Sequence, residues 1–197
     1  MSRILLLQAN PTNSLGATIA KELVTKLEGD VVLRDLMANP VPHITSAYAD
    51  AIMTRTTTSA LDLSEQLIVE LEQTDILVIT TPVHNFTLPS SLKAWVDHVV
   101  RVGRSFGINE LGEKGGLLKD RPTYVIVTAG GLFGSPAAQQ PDFLTPYMQL
   151  ALKTIGIHSV EFIMLEGLVM GTEQVSKMTQ QARERIVQLS ETALTSL

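Results

Sequence analysis

The chain of 197 residues contains no cysteine. Disulfides, thiol nucleophiles and cysteine-ligated metals are therefore excluded. Charge is also scarce: charged residues make up 18% of the chain, with 15 basic side chains against 20 acidic ones and a net charge of −5. No cluster of Lys and Arg is present, so nucleic acid is not an expected partner. No apolar run approaches the roughly 20 residues of a membrane span. The apolar part of the opening MSRILLLQANP is too short for a signal peptide, which makes the cytoplasm the expected location. Without such a signal, Asn85-Phe86-Thr87 is a chance match to a glycosylation acceptor. The four histidines (His43, His84, His98 and His158) show no spacing with carboxylates that would hold a metal. G-x-G-x-x-G does not occur. Gly107-x4-Gly112-Glu-Lys imitates a phosphate loop but lacks Gly-Lys-Ser/Thr and follows no strand.

Hydrophobic residues, in contrast, form 45% of the chain. That is enough for the core of one domain spanning 1–197. They fall in short runs with little alternation: RILLL at 3–7, DILVIT at 75–80, TYVIVT at 123–128 and VEFIML at 160–165. Such runs suit strands covered on both faces, as in a parallel sheet. VVLRD at 31–35 is a more polar candidate for an edge, with Asp35-Leu36 ending it. Between the runs the apolar period becomes helical, over 14–28, 58–73, 90–102, 142–155 and 173–195. On 90–102, Leu92, Trp95, Val96 and Val99 share one face, and Lys93, Asp97 and Arg101 form a charge ladder on another. His98 is expected on the flank of that helix. The alternation predicts a single α/β layered domain. The stretch 103–122, with five glycines, reads as a surface excursion.

In open α/β sheets, ligands bind beyond the carboxyl ends of the strands. Three loops therefore matter most: QANPTNSLG (8–16), TPVHNFTLP (81–89) and AGGLFGS (129–135). In the first, Asn10, Thr12, Asn13 and Ser14 precede a helix. They either cap it or, with its free N–H groups, hold a phosphate. In the second, Pro82 and Pro89 remove two donors. That leaves the N–H groups of Val83 to Phe86 free to face a planar ligand, with Asn85 to position it and Phe86 to cover it. The bland alternative is a helix-capping loop that buries Phe86. In the third, Gly130 and Gly131 permit close backbone approach or positive φ, or make a tight turn.

With these loops in view, the chain resembles the FMN-dependent NADH-azoreductase and quinone-reductase family over essentially its full length. The resemblance is carried by RDLMANPVP, TPVHNFTLPSSLKAWVD, TAGG and FLTPYMQLALKTIGI. It implies a flavodoxin-like three-layer α/β sandwich with a five-stranded parallel sheet in the order 2-1-3-4-5. It further implies that Asn10, Ser14, Leu15 and Gly16 hold the FMN phosphate and ribityl chain. Pro82, Val83, His84, Asn85 and Phe86 would contact the isoalloxazine, and Thr128, Ala129, Gly130 and Gly131 would close over its pyrimidine side. The implied activity is hydride transfer from NADH or NADPH through FMN to a quinone or an azo compound, by a homodimer. The flavin carries that chemistry, so no protein side chain is assigned as catalytic. His84 and Asn85 are the candidates for orienting a substrate. Many relatives have a second serine where this chain has Gly16, a tyrosine at the position of His84, and Ser-Arg in place of Thr128-Ala129. Two other readings are a flavodoxin-type electron carrier without enzyme activity and a scaffold that binds no flavin.

Overall fold

The computed structural model describes residues 1–134, 138 and 140–196, with side chains as far as Glu191. Five strands form a parallel sheet: β1 (Arg3–Gln8), β2 (Asp30–Asp35), β3 (Ile76–Pro82), β6 (Thr123–Thr128) and β7 (Val160–Leu165). Their order is β2-β1-β3-β6-β7, which is the expected 2-1-3-4-5 when these strands are counted alone. The remaining strands, β4 (Phe106–Ile108) and β5 (Lys114–Gly116), form a small antiparallel hairpin inside the glycine-rich excursion.

The six helices are α1 (Leu15–Lys26), α2 (Ser46–Thr54), α3 (Asp62–Glu72), α4 (Ser90–Val99), α5 (Thr145–Thr154) and α6 (Thr172–Ser196). Periodicity misses α2. It is short, buries only Tyr48 and Ala51, and is set by local chemistry. Thr45 caps its start by accepting from the Tyr48 N–H, and Arg55 ends it in the left-handed region. Helix α5 begins where Asp142 accepts the N–H groups of Leu144 and Thr145, with Pro146 in its first turn.

Alternate strand residues feed two cores. Ile4, Leu6, Ile76, Val78 and Ile126 pack under α1 and α6. Leu5, Leu7, Leu77, Ile79, Val125 and Val127 pack under α3, α4 and α5. The apolar face of α4 belongs wholly to this second core, where Leu92, Trp95, Val96 and Val99 are buried. That apolar face is therefore used within the chain and is not presented to a partner. His98 is also buried rather than flanking. Its Nε2 lies 3.1 Å from the Pro42 carbonyl, and its ring meets Tyr48 edge-on. The charge ladder stops at Lys93–Asp97. Arg101 lies past the helix end, turned inward onto Glu65, Ser64 and the Leu61 carbonyl.

Candidate functional site

Because the five strands are parallel, the loops after β1, β3 and β6 meet at one edge of the sheet. They are tied together there. The Val83 N–H donates to the Thr128 carbonyl at 2.8 Å, and Asn10 Nδ2 donates to Thr128 Oγ1 at 2.9 Å.

In the first loop, Ser14 is the helix cap, with Oγ accepting from the Ala17 N–H at 3.2 Å. Leu15 and Gly16, one and two residues on, have N–H groups without a protein acceptor among the described residues. Capping and anion binding therefore coexist: the cap serves one donor and leaves two pointing out of the helix start. Asn10 does not face that opening. It is 2% exposed, with its amide spent on Thr80 and Thr128, because it lies beneath the loop at the end of β1. Asp35 acts structurally, as expected: Oδ1 accepts from Met37 and Ala38, while Oδ2 accepts from Gln8 and Thr12.

In the second loop only half of the expected donors are free. The N–H groups of Val83 and His84 are taken by the Thr128 and Thr87 carbonyls, because the chain turns back on itself at once. His84 and Thr87 bridge each other, and the two residues between them have positive φ, +47° at Asn85 and +75° at Phe86. This is a mirror-image turn, which normally takes Asn or Gly at these places. Asn85 fits it. Phe86 does not, and its left-handed backbone costs roughly 1–2 kcal/mol. The turn presents the N–H groups of Asn85 and Phe86 without a protein acceptor among the described residues. Phe86 is 56% exposed, so the reading in which it fills the core fails. Beside it lies a shallow apolar recess of about 650 Å³, lined by Phe86, Thr87, Phe143, Pro146, Tyr147 and Leu150. A larger recess of about 750 Å³ lies between the end of α2 and residues 101–108, away from the strand ends.

In the third loop, Gly130 and Gly131 do not use positive φ. Their glycines allow close approach instead: a Cβ at 130 would lie 3.1 Å from Val169 Cγ1, and one at 131 would lie 3.3 Å from Gln140 Nε2. Ser135, at the end of this loop, lies outside the described residues. The loop is zipped to the one after β7. Leu168, Val169 and Gly167 donate to the carbonyls of Ala129, Gly130 and Gly131. Glu166, which the sequence reading passed over, completes the zipper. It is buried, and Oε1 accepts the N–H groups of Gly134 at 2.6 Å and Phe133 at 3.4 Å. An acidic residue directly after an apolar run, followed by Gly167, was the available signal. Thr80 was missed too, although a Thr-Thr pair ending a buried strand is visible in DILVITTP.

A parallel sheet in this order, with unpaired N–H groups gathered at its carboxyl edge, defines a flavodoxin-type ligand-binding fold. The chain belongs to the flavodoxin-like fold family, whose model matches residues 2–189. It is 45% identical over 195 residues to a Pseudomonas fluorescens protein named FMN-dependent NADH:quinone oxidoreductase 4, covering 94% of each chain. It is also 45% identical over 177 residues to FMN-dependent NADH:quinone oxidoreductase 5 of Burkholderia lata, covering 85% of this chain and 86% of the relative. Among solved structures, it superposes on an azoreductase from Bacillus anthracis str. Sterne with a TM-score of 0.85 at 17% identity, covering 96% of this chain and 99% of that one. An FMN-dependent NADH-azoreductase from B. anthracis str. Ames Ancestor, in complex with FMN, gives 0.81 at 20% identity, covering 96% and 100%. At these identities the structures establish the shared fold.

Proposed function

We propose that the protein is an FMN-dependent oxidoreductase that reduces quinones and aromatic azo compounds at the expense of NADH or NADPH. One observation carries the reading: three loops, tied at Thr128, present N–H groups without a protein acceptor among the described residues at Leu15–Gly16, Asn85–Phe86 and Gly130–Gly131, on a single sheet edge. The first pair fits a phosphate and the other two fit the polar rim of a flavin ring. FMN, when bound, accepts a hydride and returns two electrons to an acceptor. The chain's part is placement. Ser14 fixes the helix start, Glu166 holds the Gly-Gly loop, and His84 and Asn85 stand exposed where a substrate is oriented. The names of the curated relatives support the activity and the use of NADH.

The protein acts in this reading as a cytoplasmic homodimer. Support comes from the exposed apolar side chains Phe86, Phe143 and Leu150 around the recess, and from Ile108, Leu111 and Leu117 on or beside the β4–β5 hairpin. Apolar side chains gathered in water in this way favour a partner surface. Among the described residues no helix is long and apolar enough to cross a membrane.

The test is the visible spectrum of the purified protein, followed by chromatography of the cofactor released on denaturation. FMN is the expected product. FAD, or no flavin after incubation with FMN, overturns the reading. Steady-state NADH oxidation with a soluble quinone then separates enzyme from carrier, since a carrier that binds FMN does not turn over alone.

A further inference from the structure

Asn10, Thr80 and Thr128 come from the ends of three adjacent strands and form one buried hydrogen-bonded unit. Thr80 Oγ1 donates to Asn10 Oδ1 at 2.9 Å, and Asn10 Nδ2 donates to Thr128 Oγ1 at 2.9 Å. The first turn of α1 rests directly on this unit. A Cβ built at Gly16 would lie 2.9 Å from Thr80 Oγ1, 3.0 Å from Asn10 Nδ2 and 3.0 Å from Thr128 Cγ2. The φ of Gly16 is not left-handed, so glycine is needed here for space and not for backbone freedom. All three neighbours are held: two by the hydrogen bonds between them, and the Thr128 methyl by the hydroxyl that shares its rotamer. None can yield without breaking a buried hydrogen bond.

We infer that Asn10, Thr80 and Thr128 are positioning residues that seat Gly16, and that this contact sets the height of the Leu15 and Gly16 N–H groups toward a phosphate. The inference rests on the FMN reading above and reassigns Asn10 and Thr128 within it. They act through Gly16 and not as ligands. The two roles make opposite demands. If residue 16 is only a ligand position, a serine there adds a hydroxyl donor beside the phosphate and tightens binding. If residue 16 is seated, the serine Cβ lifts the turn, moves the N–H groups off target and loosens binding. Thr128→Ser separates the two further. It removes Cγ2, a carbon that the new Cβ would meet, and keeps the hydroxyl that accepts from Asn10.

The experiment is a double-mutant cycle on Gly16→Ser and Thr128→Ser, read as the FMN dissociation constant by flavin-fluorescence titration and as the melting temperature of the apo-protein. Gly16→Ser is expected to raise the dissociation constant about tenfold or more, at the low end of what overpacking costs. The same substitution in the Thr128→Ser background is expected to cost clearly less, because contacting residues couple. Tighter binding by Gly16→Ser, or equal fold-penalties in both backgrounds, overturns the inference. A lower melting temperature with unchanged FMN affinity also overturns it, because the contact would then be structural only. Gly16→Ala run through the same cycle replaces Gly16→Ser if that variant does not fold. If the wild type binds no FMN, the functional reading fails and the positioning role fails with it. The steric seat then stands or falls separately, on whether the apo melting shifts at 16 and 128 couple or add.

Discussion

At Phe86 an aromatic side chain stands largely in water on a backbone that aromatic residues avoid. Both choices oppose stability, and strain of this kind persists where a site uses it. Phe86→Gly is therefore expected to stabilise the apo-protein by about 1 kcal/mol through relief of the left-handed strain. It is also expected to weaken FMN binding or slow turnover through loss of the ring. Chemical denaturation with a parallel FMN titration checks both. Loss of stability without change in binding would mean that Phe86 serves the fold. Gly130 supplies a second residue-scale prediction. In Gly130→Val, a Cβ only 3.1 Å from Val169 Cγ1 and two further methyls crowd the zipped loop. A raised FMN dissociation constant with near-native circular dichroism is expected. Unchanged affinity would reduce the Gly-Gly turn to a strand ending.

Helices α3 and α4 are stapled just beyond the end of α4 by Arg104, which donates to Glu65 at 2.8 Å and to Glu72 at 2.6 and 2.8 Å. The Arg104 hydrogen bonds hold the Glu72 carboxyl below its ordinary value, against the opposing effect of burial. A carboxylate lowered in the folded state contributes stability above its unfolded value and loses it as pH falls through the folded one. Both carboxylates are more than a third exposed, so the effect is screened and small. Acid melts are expected to fall less steeply in Arg104→Gln than in the wild type, and salt should narrow the gap; parallel curves would show that the staple contributes nothing. How far such elements could be read in advance depends on what fixes them. The runs at 123–128 and 160–165 match β6 and β7 to the residue; burial on both faces forces the continuous apolar sequence of β6, and β7 keeps an apolar run although it is only partly buried at the sheet edge. Helix α2 and the β4–β5 hairpin follow from caps and turns over a few residues, which leave no apolar period to find. The site was legible as three loops and as residue types. The directions were not: Asn10 looks like a ligand in QANP, and only the register of β1, β3 and β6 turns it under the loop toward Thr80 and Thr128.

For the whole molecule, the sheet forces both substrates through one place. Parallel strands put every candidate flavin loop at the same edge, and the Val83–Thr128 and Asn10–Thr128 bonds join those loops into one rim. The two cores close the sheet on both faces, with α1 and α6 on one side and α3, α4 and α5 on the other. In the FMN reading, hydride donor and electron acceptor therefore approach the cofactor from the outer side of the rim. Each needs near-contact with the reacting atom, roughly 3–3.5 Å, which two molecules cannot have at once. In the FMN reading, NADH or NADPH is expected to bind and leave before the quinone or azo compound enters. Double-reciprocal plots against NADH at several fixed quinone concentrations are expected to give parallel lines, and excess quinone is expected to compete with NADH. Lines that intersect would require both molecules on the protein together, so a second approach to the cofactor would have to exist and the single-entrance reading would fail.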